Sequence, residues 1–235
     1  TAVDKAESEQ DMAMLVNGEA VGNLAAVCKK YQTKFIHIST DYVFDGESET
    51  PYKEEDATGP INTYGKSKLL GEQLCMKEDA DAIIIRTSWV YSSFGHNFVK
   101  TMMRLMNERN ELNVVSDQIG TPTSSEALAD VTYHIVKAIF NDSHFKNFGT
   151  YHMTLDNETN WYSYACFITD EAKRLGLETL MTSKDIKAVS SHIHPTLAKR
   201  PMNSRLDTSK IKKTFMLELP HWEEEVKRIL KVLIH

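Results

Sequence analysis

No glycine-rich loop suited to cradling a phosphate occurs in this sequence, whose 10 glycines are scattered. Cysteine is scarce as well. The 3 present, Cys28, Cys75 and Cys166, form neither a C-x-x-C nor any paired spacing, which excludes a disulfide framework. They fit a reducing cytosol, where thiols serve as small buried hydrophobes. No apolar run approaches the roughly 20 residues that span a bilayer. The opening "TAVDKAESEQ" has neither the basic nor the apolar region of a secretory leader. A basic excess is also missing: the net charge is −6 and the pI about 5.9, so no global field draws in nucleic acid or acidic membranes. The cluster "KIKK", Lys210 to Lys213, is too short to change this and reads as a solvated helix face. What remains is a soluble, cytoplasmic, globular protein with no nucleic-acid or membrane partner. At 235 residues and 41% hydrophobic, it can build one large domain or two small ones.

The order of elements is more informative. Apolar positions spaced three and four apart predict a helix over residues 11–31, and "KFIHIS" (34–39) reads as a short strand. A second helix is expected over 61–78. The nearly continuous apolar run "AIIIRTSWVY" (82–91) predicts a strand covered on both faces. A helix over 97–108, a strand over 111–115, a helix over 125–140, a strand over 149–153 and a helix over 161–176 follow. The tail is irregular, with helices near Ser209 and Trp222. No repeats and no low-complexity linker occur. Strands alternating with helices imply an α/β fold with a largely parallel sheet. Ligands in such sheets sit beyond the carboxyl ends of the strands. Polar residues cluster at three such ends: Ser39-Thr40-Asp41, Arg86-Thr87-Ser88-Trp89 and Ser116-Asp117-Gln118.

Tyr64 and Lys68 stand four residues apart, close after the first of these ends. A second pair, Tyr133 and Lys137, has the same spacing, so the motif alone is weak. Tyr133 lies mid-helix with no polar strand end before it, and reads as packing. Tyr64 sits in the first turn of its helix, after Pro60 and Asn62. Residues i and i+4 share a helix face, so the Lys68 ammonium can stand beside the Tyr64 phenol. A free phenol has a pKa near 10, poorly matched to proton transfer at neutral pH. An ammonium and a helix N-terminus both favour the phenolate and are expected to lower that value. Such a phenol can protonate a carbonyl oxygen as hydride reaches the carbon, with the Thr40 hydroxyl holding the same oxygen. The other reading of Tyr64 is an interface tyrosine.

The segments "STDYVFDG", "YGKSKLLGE", "IIRTSWVYSSFGHNFVKTM", "SDQIGTPTS", "LADVTYHI", "GTYHMT" and "RPMNSRLDTSKI" occur in the order seen in the dTDP-4-dehydrorhamnose reductase family, which the chain resembles over essentially its whole length. That family belongs to the extended short-chain dehydrogenase/reductase superfamily. The resemblance implies a Rossmann-type parallel sheet, its N-terminal strands missing here, with a smaller α/β substrate-binding domain. Residues 1–90, joined by about 124–153, would be what remains of the NAD(P)-binding domain. Residues 91–123 and 154–235 would mainly hold the nucleotide sugar. The opening looks like the segment after the family's third strand, so the chain reads as N-terminally truncated and is expected to be inactive alone.

The resemblance further implies reduction of the 4-keto group of dTDP-4-dehydro-6-deoxy-L-mannose to dTDP-L-rhamnose, with NADPH or NADH as cofactor. The catalytic trio falls on Thr40, Tyr64 and Lys68, and the cofactor contacts on Thr1, Tyr64 and Lys68. Sugar contacts fall on Thr40, Asp41, Tyr42 and Trp89, and the nucleotide end near Asn97, Gln118, Thr123 and Arg200. Arg200 suits a pyrophosphate, since a guanidinium can bond phosphate oxygens in pairs. It equally suits a surface salt bridge, and Trp89 equally suits core packing. Related 4,6-dehydratases carry Asp-Glu after the threonine. Here Asp41 is followed by Tyr42, which argues for carbonyl reduction over dehydration. The resemblance admits a homodimer with magnesium at its interface. Glu223 to Glu225 read as a solvated helix start, and no metal-site residue is assigned. Two other readings stand beside this one: a related nucleotide-sugar reductase or epimerase, and a non-catalytic regulatory subunit like that of methionine adenosyltransferase.

Overall fold

The computed structural model describes residues 2–193 and 195–235. The chain opens with two short helices, α1 (Val3–Ser8) and α2 (Gln10–Met14), a single π-turn at Leu15–Glu19, and α3 (Ala20–Lys30). Next come β1 (Phe35–Thr40), α4 (Thr63–Lys77), β2 (Ala82–Thr87), β3 (Val90–Tyr91), α5 (Phe98–Glu108) and β4 (Leu112–Val115). The rest is β5 (Ile119–Gly120), β6 (Thr123–Ser124), α6 (Ser125–Asn141), β7 (Gly149–His152), β8 (Thr159–Asn160), α7 (Trp161–Arg174), β9 (Ile186–Val189), α8 (Ser209–Phe215) and α9 (Trp222–Ile234).

Two compact units result. The first comprises Thr1–Ser88, His134–Met153 and Thr196–Leu217, and the second Trp89–Tyr133, Thr154–Pro195 and Glu218–His235. Residues 196–217, grouped by the sequence with the second domain, thus cluster with the first unit. The reason is visible at Tyr52, which bridges to Leu206 and exchanges backbone hydrogen bonds with Arg205 and Asp207.

The first unit is built on a parallel sheet in the order β1-β2-β7. All 6 positions of β2 are buried, as its unbroken Ile83-Ile84-Ile85 run requires of a strand covered on both faces. Each such isoleucine contributes on the order of 1.5–3 kcal/mol of burial. The register pairs Phe35 with Ala82 and Thr40 with Thr87, so β1 and β2 end level and present two threonines side by side at their carboxyl ends. On the helix side, Val21 and Ala25 of α3 and Cys75 of α4 pack with Ala82 and Ile84.

The second unit holds three strand pairs: β3 with β6 and β4 with β9, both parallel, and β5 with β8, antiparallel. The segment 82–91 is therefore not one strand. It breaks at Ser88–Trp89 because Trp89 takes a left-handed backbone, φ 47°, which no strand tolerates. Similarly, the helix over 11–31 is interrupted by the π-turn, and the strand near 111–115 pairs with β9 instead of the main sheet. Among the described residues, no helix is long and apolar enough to cross a membrane.

Candidate active site

The first unit gathers Thr40, Asp41, Tyr42, Tyr64, Lys68 and Arg200. The start of α4 is fixed first. Asn62 caps it, its carbonyl oxygen accepting from Gly65 N at 2.8 Å while its amide donates to the Lys199 carbonyl at 2.8 Å. Thr63 donates through its backbone N–H and its hydroxyl to the Glu7 carboxylate, at 2.7 and 2.8 Å. Gly65 is required here by close approach: a Cβ would collide with the Tyr42 carbonyl oxygen. That contact sets Tyr64 against Tyr42, their rings edge to face at 5.5 Å.

Thr40 is the hub. Its hydroxyl donates to Asp41 Oδ1 at 3.0 Å and accepts from Tyr42 N at 3.2 Å, and it acts on the nearby Tyr64 phenol. Asp41 is 3% exposed, and burial pushes its carboxyl up to about 7 against the lowering influence of the nearby Ser204 and Thr40 hydroxyls. Its Oδ2 and the Thr87 hydroxyl are buried without a hydrogen-bond partner. Unsatisfied polar atoms at the carboxyl ends of adjacent strands are what a polar ligand would use.

The Tyr64 phenol is not lowered as the sequence suggested. Burial pushes it up to about 12, the nearby Thr40 hydroxyl lowers it, and the Asp41 charge adds to the rise. The physical reason lies in Lys68. Its ammonium is turned to the Ile38 carbonyl, 2.7 Å, and to Nε2 of His37, 3.1 Å, so desolvation of the phenol goes uncompensated. Burial in turn brings Lys68 down to about 8, opposed by the Glu72 charge. Arg200 is an ion-pair residue here: it reaches Asp4 at 2.5 Å, and its charge acts on Tyr42, whose phenol burial raises to about 12.

The remaining candidates lie in the second unit. Trp89 stacks on Trp161 with centroids 3.7 Å apart, and a Cβ at Gly120 would lie 2.6 Å from its ring. Thr123 is fully buried; its hydroxyl donates to the Thr121 carbonyl and its N–H to the Trp89 carbonyl. That makes it a support for Trp89. Asn97 caps α5 by accepting from Lys100 N, and its amide donates to the Ser92 carbonyl at 2.7 Å, so both ends of its side chain are used. Gln118 is half-buried. Thr1 lies outside the described residues. No group of three or more His, Cys, Asp or Glu stands together for a metal among the described residues, and Glu223 lies 3.4 Å from the Asn157 amide. Sequence reasoning missed His37 and Glu72. The signal for Glu72 was present, since 64, 68 and 72 repeat at helical spacing; His37 left none.

The model of the RmlD substrate binding domain family matches residues 1–234. The chain belongs to this family. Similar relatives of this RmlD-family chain include the dTDP-4-dehydrorhamnose reductases of Shigella flexneri, 45% identical, and Escherichia coli K12, 44% identical. Each alignment covers 99% of this chain and 77% of the relative. Among solved structures, the dTDP-4-dehydrorhamnose reductase of Bacillus anthracis in complex with NADP superposes with a TM-score of 0.86 at 36% identity, over 99% of this chain and 77% of that one. The Clostridium acetobutylicum orthologue gives a TM-score of 0.88 at 35% identity, over 100% and 78%. A dTDP-glucose 4,6-dehydratase from Streptomyces venezuelae, 13% identical with a TM-score of 0.76, shares the fold alone.

Proposed function

We propose that this chain carries the catalytic residues of a dTDP-4-dehydrorhamnose reductase, which reduces the 4-keto group of dTDP-4-dehydro-6-deoxy-L-mannose to dTDP-L-rhamnose at the expense of NADPH or NADH. The observation that carries the reading is the arrangement of Thr40 at the level ends of β1 and β2, Tyr64 edge to face with the neighbouring Tyr42 at 5.5 Å, and Lys68 one helical turn further on the same face. The names of the relatives supply the substrate class.

The residues present fit a nicotinamide cofactor. Lys68 offers an ammonium suited to ribose hydroxyls, and Tyr64 a phenol suited to a carbonyl oxygen; the cofactor, when bound, supplies hydride. The chain does the rest. Thr40 orients the substrate carbonyl and Tyr64 gives it a proton. With its value pushed up to about 12, the phenol is protonated throughout the physiological range, so the donor form is always populated. Asp41, Tyr42 and Trp89 are assigned to the sugar, and Gln118 and Arg200 to the nucleotide. Arg200 would exchange or share its Asp4 partner on binding. The first unit then serves the cofactor side and the second mainly the nucleotide sugar. A cytoplasmic site of action suits a nucleotide-sugar substrate.

The test is oxidation of NADPH, followed by absorbance, when the protein expressed from its complete reading frame meets the dTDP-4-keto sugar. Oxidation that needs both the sugar nucleotide and Tyr64 is expected. A protein that binds NADPH and the sugar nucleotide yet leaves the cofactor reduced would overturn the reading.

A further inference from the structure

A buried hydroxyl with nothing to bond destabilises a fold, and Thr87 at the end of β2 carries one. Thr87 is 4% exposed, and among the described residues its Oγ1 has no hydrogen-bond partner. Most other atoms of this kind lie away from the reacting groups. Tyr91, Tyr164 and Trp222 belong to a cluster of edge-to-face rings in the second unit. His152 uses Nδ1 on the Tyr52 carbonyl and is unsatisfied at Nε2 alone. Asp41 Oδ2 and Thr87 Oγ1 remain, and both stand at the strand ends that carry Thr40.

The register relates them. Thr40 of β1 pairs with Thr87 of β2, in neighbouring strands about 4.8 Å apart. The pair before it, Ser39 and Arg86, reaches one carboxylate, that of Glu72 on α4. Register partners here therefore share a side of the sheet, and Thr40 and Thr87 do likewise. Burial does not set Thr87 apart from the residues assigned to the substrate, since Thr40 is 5% exposed and Asp41 3%.

We propose that Thr87 is a specificity residue of the reduction, its hydroxyl and Asp41 Oδ2 together receiving the 3-hydroxyl of the sugar while Thr40 holds the 4-carbonyl oxygen. This rests on the reading of Thr40 and Tyr64 given above. The reason lies in the neighbours of the reacting carbon. In a 4-keto-6-deoxy hexose, C5 carries a methyl group and C3 a hydroxyl, so the hydroxyl next to the carbonyl is the one on C3. A sugar hydroxyl both donates and accepts. A carboxylate oxygen can accept from it and a threonine hydroxyl can donate to it, so the two atoms meet both needs. Such a site discriminates, because a ligand without the hydroxyl leaves both buried atoms unpaired.

The test compares Thr87→Val and Thr87→Ser in the protein expressed from its complete reading frame. Thermal melts are read beside kcat/KM for the 4-keto sugar nucleotide and for its 3-deoxy analogue. Valine fills the same space without the unpaired hydroxyl, so the Tm of Thr87→Val is expected to hold or rise. Its kcat/KM for the parent sugar falls roughly 10- to 100-fold, and its preference for the parent over the 3-deoxy analogue shrinks by a like factor. Thr87→Ser keeps the hydroxyl and with it the preference. A fall in Tm with valine would reveal a partner for the hydroxyl within the protein and overturn the proposal. An unchanged preference for the parent sugar would overturn it as well. Tyr64→Phe separates this proposal from the reading beneath it. Reduction that needs Tyr64 but whose preference ignores Thr87 overturns the proposal alone, whereas reduction that does not need Tyr64 overturns both.

Discussion

Replacing Tyr64 by Phe removes one oxygen and nothing else, and the structure says what that oxygen does. It stands near the Thr40 hydroxyl, which keeps Asp41 Oδ1 at 3.0 Å and Tyr42 N at 3.2 Å when the phenol is gone. No buried group is orphaned, and the ring keeps its edge-to-face contact with Tyr42. The stability cost is therefore at most that of one hydrogen bond, about 1 kcal/mol, read as a fall of no more than about 2–4 °C in Tm for a chain of this size. Turnover is a different matter. A positioned proton donor is worth roughly 10² to 10⁴ in rate, about 2.7–5.4 kcal/mol of barrier. Tyr133→Phe is the internal control, because Tyr133 has the same spacing to a lysine but is 63% exposed on α6. Surface changes of that kind stay within about 0.5 kcal/mol, and its turnover should remain within about twofold. Steady-state kinetics and thermal melts of both variants give the comparison. Equal losses in turnover from the two tyrosines, or none from Tyr64, would refute the reasoning.

Lys68→Met should lower turnover as Tyr64→Phe does and also weaken NADPH binding, measured by fluorescence titration; unchanged cofactor affinity would remove Lys68 from that role. Asp41 gives a pH test of stability. Its folded value, about 7, lies above its ordinary 3.8, so the folded state holds the proton more tightly. The contribution of this group is complete below about 4 and is lost as pH rises through about 7. In urea unfolding, Asp41→Asn should therefore gain stability relative to the unaltered protein between pH 5 and pH 8, and a difference that does not change with pH would contradict the burial argument. Gly65→Ala forces a methyl group into the Tyr42 carbonyl, so it should cost about 1–3 kcal/mol of overpacking and displace Tyr64, seen as a loss of both Tm and turnover. Full activity in that variant would show that the approach of α4 to Tyr42 is not needed.

Much of the framework was legible because it is written in periodicity. The Ile83-Ile84-Ile85 run announced a strand buried on both faces, and the helix expected over 61–78 is found as α4, Thr63–Lys77. Thr40, Tyr64 and Lys68 could be placed because strand end, cap and i+4 spacing are local features. What failed to show was three-dimensional competition. Nothing local to "TSWVY" says that Trp89 adopts φ 47° and divides the strand, or that it stacks on Trp161, far along the chain. The pKa of Tyr64 was misjudged in sign because spacing places Lys68 on the right face without revealing that His37 and the Ile38 carbonyl hold its ammonium. Arg200 suits a pyrophosphate and a salt bridge equally by sequence, and Asp4, 196 positions away, is the ion-pair partner that only the structure reveals.

The most direct measurement is a product assay: the protein, NADPH and dTDP-4-dehydro-6-deoxy-L-mannose, with absorbance of the reduced cofactor and the sugar nucleotide followed together. One dTDP-L-rhamnose formed per NADPH consumed, abolished to within about 10⁻² of the starting rate or below by Tyr64→Phe, is the expected result. Cofactor consumption that survives Tyr64→Phe undiminished, or a product other than the 4-hydroxy sugar, would contradict it.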